Sequence, residues 1–237
     1  MSEQVLAANL PTLAEFLHKE LRERILDGSL PEGSQLAQVD LAEQYGVSRT
    51  PIRETLTRLD REGLVELRPR RGYIVATIEI AQIEEVCELR RFIDERASHI
   101  ATLRRSDEDI AALEKILLVL DENRPAKVGE FSGWARANRE FHVRLIATSK
   151  REFFVRIAET LYDTVERFIR LEGAVLDRLD AEVDQAQAEH IKIFAAFSKG
   201  DADQVSALIQ AHCDHTRDRL IKSLRQRGAS NSFRAEK

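Results

Sequence analysis

Three histidines in the second half of the chain share helical stripes with apolar residues, a pattern that can bring imidazoles together inside a core. They are His142, His190 and His212. Asn138 stands four residues before His142, and residues four apart lie on one face of a helix, so both are expected to point inward with Trp134. Imidazole nitrogens bind zinc, nickel, copper or iron, and the pattern therefore predicts a divalent metal site.

A simpler interpretation of these histidines stays open, in which each is a core residue whose ring nitrogens are satisfied by hydrogen bonds. Spacing does not decide between the two, because Asn138 and His212 are far apart along the chain. His215 follows His212 by three residues and is a candidate substitute ligand or a group that orients one. Cys87 and Cys213 are expected to be packing residues.

A second group of residues suited to chemistry is a run of arginines nearer the start of the chain. Residues 48 to 73 contain seven arginines, no lysine and four acidic residues, so their local charge is seven minus four, or +3. The whole chain has a formal net charge of -5. Arginine makes paired contacts with guanine edges and phosphates, so the segment predicts DNA binding. The alternative, for an isolated arginine pair, is a solvated basic helix face.

The elements that must position these arginines are predicted to be a helix, a short helix, a third helix and a hairpin. A capping box at Thr12 and Glu15 begins the first helix. The first helix is predicted between Thr12 and Gly28 and the second between Asp40 and Gly46. The third is predicted to be capped by Ser48 and to stop at Gly63. Two strands follow, at 64–67 and 73–75, joined by an arginine-rich tip. This order predicts a winged helix-turn-helix over residues 1–77 of a mainly α protein.

The third helix of this unit is the predicted DNA-reading element. A helix that follows a glycine turn can enter the major groove by its N-terminal end, where its free amides also favour phosphate. Arg49 and Arg53 share one face and are expected to reach base edges, while the hairpin tip meets the minor groove or its phosphates. The predicted DNA-binding residues are Ser48, Arg49, Thr50, Arg53, Arg70, Arg71 and Gly72.

From about Ile80 onward the pattern is helical throughout. Helices are predicted over 80–104, 107–121, 126–149, 151–172, 181–199 and 202–226. They predict an all-α bundle over 78–227, followed by a flexible tail over 228–237. No apolar run approaches the roughly 20 residues that a membrane-spanning helix needs, and we expect a cytoplasmic protein.

The N-terminal residues form a recognisable signature. Residues 46–54 read Gly-Val-Ser-Arg-Thr-Pro-Ile-Arg-Glu, followed by Leu56, Leu59, Gly63, Leu64 and Val65; Ile25, Gly28, Pro31, Gly33, Leu41 and Ala42 precede them, and Arg71, Gly72 and Val75 complete the set. This segment of about 65 residues resembles the DNA-binding domain of the GntR family of bacterial transcription regulators. The resemblance implies a dimer on a short palindromic operator. Val39 stands where fatty-acid-responsive members carry a DNA-contacting arginine.

Short motifs in the helical half occur in an order that matches one branch of the same family. They are Leu89, Arg90 and Asp94; Asn138, Arg139, Glu140, Phe141 and His142; Glu189 and His190; and Gly200, Asp201 and His212. They resemble the ligand-binding and dimerisation (FCD) domain of the fatty-acid-regulator (FadR) branch, in its six-helix, VanR-like form. Lys150 and Arg151 replace the Gly-Asn that the family usually carries in the turn after the histidine helix, and are expected to add positive charge near the site.

This second resemblance implies a ligand set and an effector site. The implied metal ligands are Asn138, His142, His190 and His212. Because Asn138 replaces an aspartate and brings no charge, zinc, or else nickel, is favoured over magnesium or calcium. Arg90 is the expected partner of an effector carboxylate, with a solvated or ion-paired helix residue as the alternative.

The functional prediction is a homodimeric, metabolite-responsive DNA-binding transcription regulator that is not an enzyme. The resemblance implies repression that is relieved by a small, carboxylate-bearing effector bound near the metal. Three alternatives stay open: a sensor in which the metal ion is itself the signal, a metalloenzyme that uses the three histidines, and a DNA-binding dimer whose histidines are purely structural. No general-base motif accompanies the histidines, which counts against the enzyme.

Overall fold

The structure is a computed structural model that describes residues 12–125, 131–173 and 180–235. It divides into two compact units, one up to Thr77 and one from Ile78 onward. The first unit combines helices with a small sheet, and the described part of the second is helical, so the predicted mainly α fold class is confirmed. No described helix is long and apolar enough to cross a membrane.

The N-terminal unit is a winged helix-turn-helix. Its elements in chain order are α1 (Leu13–Leu26), β1 (Gln35–Leu36), α2 (Gln38–Tyr45), α3 (Arg49–Arg61), β2 (Val65–Arg68) and β3 (Gly72–Val75). The three strands form an antiparallel sheet in the order β1-β3-β2, and β3 pairs with β2 in a register that sets Val75 opposite Val65 and Gly72 opposite Arg68. The hairpin of β2 and β3 is the wing.

The apolar stripes of α1 and α3 make the core of this unit. Leu17, Leu21 and Ile25 of α1 are buried against Ile52, Leu56 and Leu59 of α3. Burying a side chain of this size stabilises a fold by about 1.5–3 kcal/mol. The opposite face of α3 is left to polar residues, which is how the fold presents its arginines outward.

Local signals explain where these helices begin and end. The capping box at Thr12 and Glu15 is confirmed, since the Thr12 hydroxyl accepts from the Glu15 amide at 3.3 Å. Gly46 ends α2 with a φ of 64°, a left-handed conformation that glycine adopts without steric cost. The predicted cap at Ser48 is wrong in one respect: Ser48 holds the N-cap position, but its side chain makes no capping hydrogen bond.

The C-terminal unit is a helical bundle. Its elements are α4 (Ile80–Arg104), α5 (Asp107–Glu122), α6 (Ser132–Ala147), α7 (Glu152–Gly173), α8 (Asp180–Lys199) and α9 (Ala202–Ala235). Ser106 begins α5 with a capping box that it forms with Asp109. One large apolar core joins the described helices, and a smaller one under α4, α6 and α7 contains Ala97, Ile146, Ala158 and Tyr162.

Two predicted helices differ from the structure by more than two residues at one end. Helix α6 begins at Ser132 and ends at Ala147 instead of spanning 126–149; Phe131 lies in a turn, and 126–130 are outside the described residues. Helix α9 continues to Ala235, where a flexible tail was predicted from 228. Gly228 is the single glycine within α9, and one glycine costs a helix only about 1 kcal/mol, so it does not stop the helix.

Candidate functional site

The candidate metal site is a cluster of three imidazoles from three helices of the C-terminal unit. His142 lies on α6, His190 on α8 and His212 on α9, and each is at most 4% exposed. One nitrogen of each ring lies within 4.8 Å of the others. The Nε2 atoms of His142 and His190 are 3.2 Å apart, and the ring centroids are separated by 4.8 to 5.1 Å. The structure therefore brings these three histidines together, and we call them the histidine triad.

Helical stripes and aromatic packing hold the triad in place. On α6, Trp134, Asn138 and His142 follow one another at intervals of four residues, and all three are buried. The ring of Phe141 lies 4.8 Å from that of His190, centroid to centroid. The ring of Tyr162, from α7, stacks on His142 at 5.1 Å. The triad thus lies within a packed core.

Burial keeps the three imidazoles uncharged. It holds the pKa of His142 and His190 well below the usual histidine range, and the neighbouring His212 lowers both further. The pKa of His212 is also lowered by burial, against the opposing effect of its hydrogen bond to Glu189. A neutral imidazole keeps a lone pair on one ring nitrogen, which is the form that binds a metal ion.

Glu189 determines which nitrogen of His212 carries the proton. Its two carboxylate oxygens accept from His212 Nδ1 and from His215 Nδ1, each at 2.7 Å. Burial opposes ionisation of Glu189, but the hydrogen bonds that it accepts outweigh burial and lower its pKa to about 2. Because an ionised carboxylate only accepts, Nδ1 of His212 carries the proton and Nε2 keeps the lone pair.

The donor set fits a divalent metal ion. Zinc–nitrogen bonds of about 2.0–2.1 Å put two nitrogens of a tetrahedral site roughly 3.4 Å apart. The 3.2 Å between the Nε2 atoms of His142 and His190 is close to that spacing. His190 Nδ1 is buried without a hydrogen-bond partner among the described residues. The description of each histidine as a satisfied core residue therefore does not hold for His190.

Asn138 and His215, the two candidates for a fourth ligand, differ in burial. Asn138 is 6% exposed, lies one turn before His142, and makes no side-chain hydrogen bond to the described residues. The side chain of His215 is 59% exposed, is bound to Glu189, and lies outside the triad. The environment of Asn138 is the one that suits a buried ligand.

A cavity opens beside the triad. Its free volume is about 30 Å³, room for one or two water molecules, and it is partly open to solvent. Its lining comes from α4, α6, α7, α8 and α9 and includes Asn138 and His212 as well as Glu182 and Arg219. The cavity therefore combines an amide, an imidazole and charged groups of both signs next to apolar carbon.

Arg90, predicted to hold an effector carboxylate, lines this cavity but is engaged by its neighbours. It is 2% exposed, its Nε donates to Asp94 at 3.3 Å, and its Nη2 donates to the Tyr162 hydroxyl at 2.8 Å. The hydroxyl of Tyr162 donates in turn to Asp94. Arg90 thus matches the alternative of an ion-paired helix residue, and contributes positive potential to the cavity wall.

The substituted turn after α6 keeps the backbone of a glycine turn. Lys150 has a φ of 54°, in the left-handed region where a non-glycine residue costs roughly 1–2 kcal/mol. Lys150 and Arg151 line a separate groove with Arg96 and Phe153, and they are not among the residues that line the cavity. The expected positive charge of this turn therefore falls outside the cavity.

The two cysteines are buried and free. Burial raises the pKa of both thiols, and the Sγ of Cys213 lies 3.9 Å from a carboxylate oxygen of Asp94. A buried, protonated thiol is unreactive, in agreement with the packing role predicted for Cys87 and Cys213.

The predicted base-reading residues are exposed at the N-terminal end of α3. Ser48, Arg49, Thr50 and Arg53 all belong to this surface. Neither arginine makes a side-chain hydrogen bond or ion pair with any described residue. In contrast, Arg58 of the same helix is paired with Glu62 at 3.3 Å. The fold thus leaves the donors of Arg49 and Arg53 available to an external partner.

The wing tip carries a second pair of available arginines. Arg70 and Arg71 are exposed, and their side chains likewise have no partner among the described residues. Arg70 has a φ of 65° and Gly72 a φ of 75°, so two left-handed residues make the tight turn. The side-chain amide of Gln35 donates to the Arg71 carbonyl at 2.7 Å and braces the tip against β1.

Three residues near the triad were not predicted as functional. Tyr162 has no sequence signal that distinguishes it from other core aromatics. Glu189 was named only as part of the Glu189–His190 motif, and its contact with His212, 23 positions away, has no local sequence signal. Trp134 was placed on the inward stripe of α6 but given no role, although it lines the cavity.

Two protein families match the chain, one in each unit. Residues 13–75 match the family described as bacterial regulatory proteins, gntR family. Residues 85–215 match the FCD domain, and this match spans more than half of the chain.

Individual relatives extend over most of the chain. The Nta operon transcriptional regulator of Aminobacter aminovorans is 30% identical over 193 residues, which cover 81% of this chain and 87% of that protein. The HTH-type transcriptional repressor RspR of Escherichia coli (strain K12) is 24% identical over 217 residues, covering 91% of this chain and 90% of that protein. The solved structure of E. coli McbR/YncC has a TM-score of 0.74 at 20% identity, covers 91% of this chain and 100% of that chain, and supports the fold alone.

Proposed function

Because the chain belongs to the GntR family and carries an FCD domain, it is a DNA-binding transcription regulator, and we propose that it is a metabolite-responsive repressor. In this proposal a homodimer binds a palindromic operator, and a small carboxylate effector in the C-terminal cavity weakens that binding. The observation that carries the proposal is the cavity lined by Asn138 and His212 beside the buried triad. RspR of E. coli is named a transcriptional repressor, which supports repression as the direction of regulation.

Operator recognition is assigned to the exposed arginines. The N-terminal end of α3 enters the major groove, where Arg49 and Arg53 donate to base edges and the side chains of Ser48 and Thr50 donate to phosphates. The wing, through Arg70, Arg71 and Gly72, contacts the minor groove or the phosphates beside it. Support comes from the exposure of these side chains and from the lack of partners for the four arginines among the described residues.

Dimerisation is assigned to a surface of α4 and α7 that we call the α4–α7 face. Large apolar side chains are exposed there: Leu89, Phe92 and Leu103 on α4, and Phe153 and Ile157 on α7. Their exposed fractions range from 45% to 72%, and exposed apolar patches commonly mark protein–protein interfaces. A twofold axis sets such a face against its own copy, and a twofold protein matches a palindromic operator.

The metal ion is assigned to Asn138, His142, His190 and His212. Neutral imidazoles favour zinc or nickel, and Glu189 supports the set by holding His212 in one tautomer. When bound, such an ion supplies positive charge that attracts an effector carboxylate. The chain itself adds the amide of Asn138, the potential of Arg90 and the apolar wall of the cavity.

Coupling between the effector site and the dimer is assigned to Tyr162 and the groups that it touches. Tyr162 stacks on His142, and its hydroxyl connects Arg90 and Asp94 of α4 to α7. Helices α4 and α7 also carry the α4–α7 face. An effector that displaces these groups changes the packing of α4 on α7 and, through the dimer, the separation of the two DNA-binding units. Such an effector must bind the two arrangements with different affinity.

The experiment is an operator titration with the protein in three states. A duplex selected from random sequences by the wild-type protein is titrated with metal-free protein, zinc-loaded protein, and zinc-loaded protein in a series of small carboxylates. We expect a carboxylate to weaken binding of the zinc-loaded protein, and chloride at equal ionic strength to leave it unchanged.

A metal sensor is the second candidate, favoured by the closeness of the triad nitrogens. It predicts that zinc alone switches operator affinity and that carboxylates add nothing. If neither zinc nor any carboxylate changes operator affinity, both proposals are wrong and the histidines have a structural role.

A further inference from the structure

We propose that Trp134 determines effector specificity by donating its indole N–H to an acceptor oxygen of the ligand in the cavity. This inference rests on the proposed function, because it assumes that the effector binds in that cavity. It adds a recognition group that is neither a metal ligand nor a charged residue. It also defines the ligand more closely, as a small acid with an oxygen acceptor next to apolar carbon.

The first argument is the hydrogen bonding of the indole. Trp134 lines the cavity and is only 1% exposed. Its Nε1 atom is buried and has no hydrogen-bond partner among the described residues. Indole N–H groups in protein cores usually have an acceptor, and a buried donor without one is destabilising. A ligand oxygen in the cavity would supply the missing acceptor.

The second argument is the immediate surroundings of Trp134. Asn138 lies one turn further along α6, lines the same cavity, and also has no side-chain partner among the described residues. Two neighbouring polar groups on one stripe therefore lack partners. The ring of Phe131 lies 5.1 Å from that of Trp134 at a tilt of 43°, which fixes the indole within the core.

The third argument is that the cationic groups of the cavity are committed elsewhere. Arg90 donates to Asp94 and Tyr162, and Arg219 is paired with Glu172. Both give the cavity positive potential, but Nε and Nη2 of Arg90 and Nη1 of Arg219 already donate to acceptors of the protein. The indole N–H has no such competitor among the described residues. It is therefore the group that distinguishes a ligand by the position of its oxygen.

Trp134 is the single tryptophan of the chain, so its indole gives one resonance. The experiment uses full-length, zinc-loaded protein labelled with ¹⁵N-tryptophan. Sodium acetate, the smallest stable carboxylate probe with an apolar carbon, is titrated into the tens-of-millimolar range, with sodium chloride at equal ionic strength as the control. We expect acetate to move the indole proton downfield in a saturable way and chloride to leave it in place.

A variant separates a direct hydrogen bond from a change in packing. In Trp134→Phe the aromatic wall remains but the N–H donor is removed. Acetate binding to wild type and variant is measured by saturation-transfer difference NMR, and unchanged thermal melting confirms that the variant is folded. We expect the Kd of the variant to rise about tenfold.

The outcomes distinguish this inference from the proposed function. If wild type and Trp134→Phe bind acetate equally and the indole resonance does not move, the role of Trp134 is wrong while the carboxylate site stands. If the wild-type protein shows no saturable binding of acetate, the carboxylate site itself is contradicted, and the role of Trp134 with it.

Discussion

The arginines of the N-terminal unit and the histidines of the C-terminal unit meet their partners in opposite ways. Arg49, Arg53, Arg70 and Arg71 are exposed and have no partner among the described residues. The histidine triad is buried, and its rings contact one another and the surrounding aromatics. A surface that binds a polyanion must keep its hydrogen-bond donors exposed to solvent, whereas a site for a small ion can be buried inside the protein.

The contrast extends to charge. Residues 48 to 73 carry a local charge of +3 in a chain of -5. We expect the acidic remainder of the chain to limit non-specific attraction to DNA, so that affinity depends on a few arginines and falls with salt. Around the triad, burial keeps the imidazoles neutral, and the nearest carboxylate, Glu189, is held by hydrogen bonds. The exposed arginines are therefore suited to bind through their positive charge, whereas the triad offers the lone pairs of uncharged ring nitrogens.

The largest expected effect is on the α4–α7 face, which would join two subunits into one dimeric regulator. Phe92→Asp places a charge on the α4–α7 face, where Phe92 is 62% exposed, so the fold of the monomer should tolerate it. A twofold dimer buries this side chain twice, at about 2 kcal/mol each, which predicts roughly 1000-fold weaker association. Light scattering across a dilution series measures it. Ile191→Asp, at a site on α8 that is 52% exposed, is the control and should remain dimeric; equal association of both variants would show that another surface joins the subunits.

The next effect is on metal binding in the core. His142→Ala removes a ligand and should lower zinc affinity by more than about 100-fold, beyond the usual effect of removing an orienting group. Competition with a chromophoric chelator measures it, and thermal melting checks folding. His215→Ala, which alters an exposed imidazole outside the triad, should bind zinc within about twofold of wild type. If His142→Ala keeps wild-type affinity, the triad is not the metal site.

The third effect is on operator recognition at the surface. The double variant Arg49→Ala, Arg53→Ala should bind the selected duplex at least about 30-fold more weakly, since each base contact contributes at least about 1 kcal/mol. Fluorescence anisotropy measures it. Arg58→Ala, on the same helix but paired with Glu62, should bind less than about threefold more weakly than wild type. Retention of wild-type sequence preference by the double variant would contradict the assignment of base readers.

The two regions also differ in how far the sequence predicted them. The winged helix was predictable in detail because local signals mark it: a capping box at Thr12, a left-handed Gly46, and the arginine spacing of α3. The triad was predictable as a set of inward-facing residues on separate helices. The distances of at most 4.8 Å between the ring nitrogens of the three histidines depend on tertiary packing that no local pattern encodes.

Long-range contacts account for what sequence reasoning missed. Glu189 orients His212 across 23 positions, and Tyr162 reaches Asp94 across 68. Such pairs have no periodic signature. The same limit explains Arg90, whose type and position suggested an anion receptor but whose donors are used by Asp94 and Tyr162. Helix α9 was predicted to end near residue 226 because the polar composition after Gly228 is typical of a tail. In the structure the helix continues to Ala235.

A smaller effect tests the orienting role of Glu189 at the triad. Glu189→Gln keeps the shape but removes the charge that fixes the tautomer of His212, and zinc affinity should fall about tenfold. Glu182→Gln, another glutamate that lines the cavity, is the matched control and should bind zinc as wild type does. Equal reductions in both variants would show that only the overall charge of the cavity matters.

The smallest expected effect is at the wing. Arg70→Ala with Arg71→Ala should weaken binding to all duplexes by about three- to tenfold, with little change in sequence preference, because these arginines are assigned to the minor groove, which distinguishes base pairs poorly, or to the phosphates beside it. The dependence of log affinity on log salt should become shallower by about 0.9 for each phosphate that the variant no longer neutralises. A change in preferred sequence would instead assign base reading to the wing.

The most direct test of the central claim, that the histidine triad is a binding centre and not a satisfied core, is the native mass of the protein as purified. We expect a dimer of two 27.0 kDa chains carrying one divalent metal ion per chain, and the same metal content in the Arg49→Ala, Arg53→Ala variant. A wild-type protein that is metal-free as purified and takes up neither zinc nor nickel would contradict the account.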